Sequence, residues 1–191
     1  DGFPFFLRDR RQLDVASLRN DWTYQVGEKA IVRGGVEAKT GESSYDYALT
    51  HQRTAVSNGV QVVATENVNA ALKPAGSAGA AFVSARVRPF KPLVLEPGLR
   101  FDRHDYTRDS EWNPRLNAAL DLAGTTMRAA WGAYAQSQGL HDLSVADGER
   151  RFGRAERAEH RVLGVERPLG RTVALRVEAY ERITSRPRAR W

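Results

Sequence analysis

The chain has 191 residues, 41% hydrophobic and 27% charged, with a formal net charge of +6 from 29 Lys+Arg against 23 Asp+Glu. This is the size of one ordinary domain. Cysteine is absent, which excludes disulfides, thiolate catalysis and cysteine-ligated zinc, and no apolar run approaches the ~18 residues a membrane helix needs, a limit that does not touch β-barrels, whose strands are half apolar.

The opening Asp1–Arg11 stretch lacks the basic region and continuous apolar core of a secretory signal. Residues 15–26 then alternate. Ala16, Leu18, Asn20, Trp22, Tyr24 and Val26 fall on one side, with Arg19 and Asp21 on the other. Gly27-Glu28 reads as a tight turn. Residues 29–39 place Ala30, Val32, Gly34, Val36 and Ala38 on the first side and Arg33, Glu37 and Lys39 on the second. A two-residue period predicts strands. The single Arg33-Gly34-Gly35 is therefore strand interior, not an RNA-binding repeat.

From Thr40 to Gly79 this pattern is lost, and the segment reads as a long polar loop. Within it, His51–Val56 and Val60–Ala64 flank Ser57-Asn58-Gly59. Asn-Gly between two such runs predicts a projecting hairpin. Alternation resumes at 81–88 (Ala81, Val83, Ala85, Val87) and, after Pro89–Pro92, at 93–104 (Leu93, Leu95, Pro97, Leu99, Phe101). Pro97 requires a bulge or an edge, because it cannot donate to a ladder.

A loop is expected at 105–112. The strongest hairpin of the chain follows, 113–122 and 125–136. Leu116, Ala118, Leu120 and Leu122 share a face with Met127, Ala129, Trp131, Ala133 and Ala135. A second long break spans 137–157. The last pair, 158–167 and 173–182, carries Leu163, Val165, Val173, Leu175, Val177 and Ala179 on its apolar side. Arg161 on that side fits only near a membrane rim.

The count is about eight strands, each of roughly ten residues, the length of a tilted strand crossing hydrocarbon. Soluble strands are usually about half as long. Breaks alternate short and long. The expected fold is all-β: an antiparallel up-and-down meander, a segment of a transmembrane β-barrel with short periplasmic turns and long outer loops. Arginines interleave with acids instead of clustering, so no nucleic-acid partner is expected.

Several stretches resemble strands of TonB-dependent outer-membrane receptors: Pro97–Tyr106 (P-G-L-R-F-D-R-H-D-Y), Asn113–Leu120 running into Thr125–Leu140, Ala158–Glu166, and Leu175–Arg182. The likeness covers most of 12–190. It implies a fragment of a large plugged barrel in the cell outer membrane. It also implies uptake of a scarce ligand such as an iron–siderophore complex, driven by the TonB complex through a plug domain. No plug and no TonB box are recognisable here, and Thr184–Arg190 before Trp191 does not alternate, so residues 1–191 are expected to be part of such a barrel without its plug. The expected partners are the outer-membrane bilayer and a small-molecule ligand.

Ligand contacts are expected from the long outer segments: Tyr45, Tyr47, His51 and Arg53 in the first, His141, Arg150 and Arg151 in the second. Guanidinium groups would suit the carboxylates of an anionic siderophore. No enzyme is expected. Neither G-x-S-x-G nor H-E-x-x-H occurs, nor a phosphate-cradling glycine loop, and no cofactor or metal is implied. Asp102 and His104 share a strand face and could reach one ion, but a polar lumen or rim pair is the expected reading. Two rival readings stay open. One is an independent small outer-membrane barrel. The other is a soluble ligand-binding barrel with the apolar face turned inward.

Overall fold

The computed structural model describes residues 5–57 and 60–188, leaving aside the side chains at 53, 55, 57 and 60. It is one antiparallel sheet of nine strands. In chain order they are β1 (Phe6–Val26), β2 (Ala30–Ser57), β3 (Val60–Leu72), β4 (Ala75–Phe90), β5 (Leu93–His104), β6 (Asp109–Leu122), β7 (Thr125–Gln136), β8 (Glu156–Pro168) and β9 (Ala174–Ser185). The order across the sheet is β1-β2-β4-β5-β6-β7-β8-β9, with β3 paired to the far half of β2. One 3-10 turn, Val145–Asp147, interrupts the β7–β8 connection. No helix among the described residues is long and apolar enough to cross a membrane.

The register aligns the predicted apolar residues from strand to strand. Trp22 pairs with Gly34, and Gly34 with Val83. Val83 pairs with Leu99, Leu116 with Trp131, Met127 with Val165 and Val165 with Val177. A slip of one residue would turn each strand over, so this agreement fixes the pairing. The apolar side stands in the open: Leu18 is 76% exposed and Leu163 64%. No second layer covers it among the described residues. Trp22 lies over Gly34, where a Cβ would run into its indole.

The opposite face is charged and self-paired. Lys39 Nζ lies 2.6 Å from Glu37, Arg100 bridges Glu37 (3.6 Å) and Asp102 (2.7 Å), and Asn113 donates to Asp102 at 3.0 Å. Glu37 and Asp102 both oppose Ala80, whose small side chain lets β2 and β5 reach across β4. Such partly wet pairs contribute under ~1 kcal/mol each. Their main effect is to keep Glu37, Lys39, Arg100 and Asp102 paired. Arg161, on the apolar side, is paired: it contacts Glu159 (2.7 Å) and Glu181 (3.1 Å), and Trp131 donates to Glu159 at 2.9 Å.

Several sequence-based boundaries need correction. The expected loop at 40–79 is almost all strand. β1 and β2 run as one continuous ladder from Phe6↔Thr50 to Val26↔Ala30. On its other edge β2 pairs with β3, from Tyr45↔Leu72 to Ser57↔Val60. The expected inner hairpin is therefore present, although its Asn58-Gly59 turn lies outside the described residues, as does Trp191. The expected loop at 105–112 shrinks to a turn at 105–108, because Asp109–Trp112 extends β6. Nine strands replace about eight. Pro97 sits in an inner strand, with the β4–β5 ladder passing from Ser84↔Gly98 to Val87↔Leu95 and a register shift between Val87 and Phe90. A missing N–H accounts for the gap.

The alternation in β2 is not lost at Thr40; it reverses. Up to Ala38 the even positions are apolar. From Ser43 the odd positions Tyr45, Tyr47 and Leu49 take over, opposite Leu72, Ala70 and Val68. The even positions become Glu42, Ser44 and Asp46, beside Asp14, Gln12 and Arg10 of β1. The side that is apolar on the main sheet thus becomes polar on the ribbon formed by β1, β2 and β3. The charged side becomes apolar there.

Candidate functional site

The ribbon's newly apolar side is where the buried core found among the described residues forms. Residues 137–155 fold across it, burying Leu143 and Val145 against Tyr45, Tyr47 and Ala70, with Leu49, Val68, Leu72 and Phe152 packed around them. Each fully buried aliphatic side chain contributes about 1.5–3 kcal/mol. Polar contacts hold the segment at several points. Tyr45 Oη donates to the Leu140 carbonyl at 2.7 Å and accepts from Leu143 N at 3.2 Å. Arg150 donates to the carbonyls of Val145 and Asn69, both at 3.0 Å. At the far end Ala155 N donates to Asp109 at 2.7 Å. Burial pushes the Tyr45 phenol above its ordinary pKa, against the opposing hydrogen bond from Leu143.

This clasp roofs a cleft of about 440 Å³ on the charged-face side of the sheet, within the range of small-ligand sites. Leu13 and Val15 of β1, Lys39 of β2, Ala78 of β4 and His104 of β5 line it, together with Tyr106 and the start of the clasp, Ser137–His141. Gly41 and Gly76 are register partners on its floor. Glycine is required at 76, where a Cβ would meet Asp105 Oδ1 at 2.6 Å and the Tyr106 ring at 2.7 Å. Tyr106 packs edge-on to Phe152 and to His104, with ring centroids 5.1 and 5.7 Å away. Burial raises the Tyr106 pKa, and Asp105 and Asp142 push it the same way. The cleft combines aliphatic walls, two rings and a few polar tips, a make-up suited to holding an organic molecule.

The sequence-predicted contacts distribute unevenly around it. His141 lines the mouth, its Nε2 3.3 Å from Asp142. Tyr45 and Tyr47 are buried in the clasp and Arg150 ties its backbone, so these serve the fold. His51 sits on the ribbon with Nε2 3.4 Å from Glu66. Arg53 pairs with Ala64 through the backbone, and its side chain lies outside those described. Arg151 is exposed at a bend after the clasp core. Sequence reasoning missed Leu13, Val15, Lys39, Tyr106 and Gln138. The available signal was that strand-end residues on the charged side sit beside the roof. Asp102 pairs with Arg100 and Asn113, and no group of three or more metal-ligating side chains occurs among the described residues.

Comparison with solved structures places this architecture. The outer membrane transporter YddB from Escherichia coli superposes with a TM-score of 0.61 at 13% identity, over 90% of this chain and 26% of that one. The sheet has the fold of outer-membrane barrel proteins. The siderophore receptor PirA from Pseudomonas aeruginosa gives a TM-score of 0.51 at 16% identity, over 90% of this chain and 38% of that one. This chain therefore spans well under half of either neighbour. No protein-family model and no curated protein sequence matches it.

Proposed function

We propose that the chain is a run of strands from an outer-membrane receptor of the TonB-dependent kind, which takes up a scarce ligand such as an iron–siderophore complex. The reversal in β2 carries this reading. Oil on one side of the sheet must give way to water at a definite height, and the apolar side turns polar at Asp14 and Glu42. A soluble ligand-binding barrel supplies no reason for the two faces to exchange character within one strand. Below that height the aliphatic side meets lipid and the paired charges meet a wet interior. Above it the ribbon and clasp stand outside the cell, roofing the cleft that receives the ligand.

Among the described residues β1 and β9 end the sheet without pairing to each other. This favours a larger barrel with further strands over an independent small one. A siderophore-binding neighbour supports the ligand class. A plug domain and the TonB complex complete the scheme as partners.

The test begins with fractionation of cells expressing the intact gene. The protein should sediment with the outer membrane and need detergent for extraction. Recovery as a monodisperse soluble protein would end the membrane reading. Deleting the gene should then lower uptake of radiolabelled ferric siderophores by iron-starved cells. Unchanged uptake across a panel of siderophore classes would exclude the ligand class.

A further inference from the structure

Two residues that line the cleft each carry a polar atom without a partner among the described residues, Gln138 Nε2 and His104 Nδ1, both sealed from water; Gln138 also borders a neighbouring polar pocket. Gln138 is only 4% exposed. Its amide orientation is not free. Gly153 N donates to Oε1 at 2.5 Å, so Oε1 faces the clasp and the two N–H bonds of Nε2 are left without an acceptor. A buried donor without an acceptor costs about 1–3 kcal/mol. Such a group calls for an explanation in a native fold.

We infer that Gln138, beside His104, is a specificity-determining group of the cleft, selecting a small organic molecule that pairs an apolar ring or chain with a carboxylate or carbonyl oxygen. This rests on the cleft being the ligand site of the proposed receptor. The apolar part would lie against Leu13, Val15 and Leu140. The oxygen accepts from Gln138 Nε2, and Lys39, already held by Glu37 at 2.6 Å, lends positive charge nearby. Gln138 Nε2 has no open surface as the cleft stands, so the oxygen reaches it through a small shift of the wall on binding. A ligand lacking that oxygen leaves the amide unpaired, which is how a polar site rejects an analogue.

The probe is 4-fluorobenzoate, followed by fluorine NMR titration against the intact full-length protein in detergent micelles. Gln138→Glu retains an oxygen to accept from Gly153 and replaces the donor with a second acceptor. It should weaken the probe about tenfold or more. Gln138→Ala should weaken it as well. Limited proteolysis of 137–155 run on both variants reports whether the clasp is intact. Equal affinity in wild type and Gln138→Glu with an intact clasp overturns the inference, as does absence of binding to wild type. A protein that extracts only with detergent and transports, yet gives either result, sinks this site alone. A soluble protein that binds the probe with the expected variant effect sinks the membrane reading and keeps the site.

Discussion

The two halves of β2 obey opposite rules. In residues 30–38 the even side chains Ala30, Val32, Val36 and Ala38 are aliphatic, and on the odd side Glu37 pairs with Lys39 and Arg100 across the sheet. From Ser43 onward the even side carries Ser44, Asp46, Thr50 and Gln52, and the odd Tyr45 and Tyr47 are buried beneath the clasp. Backbone pairing continues through the change without a break. Strand geometry therefore does not decide which face is apolar. In the proposed receptor the medium does: hydrocarbon below, water and a protein roof above. A single strand thus reports two solvents.

The largest expected effect comes from putting charge on the outer side at both heights. Val36→Arg and Leu120→Arg, on the aliphatic face, should each cost about 2–4 kcal/mol in the intact barrel, measured by unfolding titration in lipid vesicles. Ser44→Arg, on the same side of the same strand but above the reversal, should stay within about 0.5 kcal/mol. Similar costs at 36 and 44 would erase the contrast.

Next is packing within the lower half. Gly34→Val drives a branched side chain into Trp22 and should cost about 1–3 kcal/mol in the same titration. A neutral result would mean the indole does not rest there.

Tyr45→Phe probes the upper half. It removes both hydroxyl bonds to the clasp, leaving Leu140 C=O and Leu143 N–H unmatched, and should destabilise the clasp locally by about 2 kcal/mol. Faster proteolysis or amide exchange confined to 137–155 is the expected readout, with the barrel unaffected. Unchanged exchange would show that burial of Leu143 and Val145 suffices.

The smallest effect is pH dependence of that clasp. The folded pKa of Tyr45 is raised, so its contribution is fully present below the unfolded value of 10.0 and is lost as pH climbs past the folded one. Cleavage in 137–155 should accelerate above pH 10, and less so in Tyr45→Phe.

How much of this could be read from sequence follows from the same contrast. Strands such as 113–122 and 125–136 were legible because one period and one face served throughout. The 40–79 segment was not, because its apolar positions change parity between Ala38 and Tyr45, and a pattern keyed to even positions sees only noise. Tyr45 and Tyr47 drew attention as ligand contacts, although alternating aromatics opposite Ala70 and Leu72 are a core signature once the β2–β3 register is known. The cleft itself could not be read. It joins Val15, Lys39, His104 and Gln138, distant in sequence, and only the fold of 137–155 over β2 brings them together. His104 was noticed, but as a polar lumen or rim partner of Asp102 and not as a cleft wall.

The hairpin of β1 and β2 has a small end and a large one. Gly27 closes the small end in the left-handed conformation at φ 61°, with only Glu28 and Lys29 beside it. The other end carries a polar ribbon and a folded roof. Only the small end can be threaded through a greasy slab without stripping water from dozens of hydrophilic groups. On the proposed membrane reading, the direction of insertion is written into the hairpin: it enters turn first, and the ribbon acts as the stopper that prevents it from sliding through.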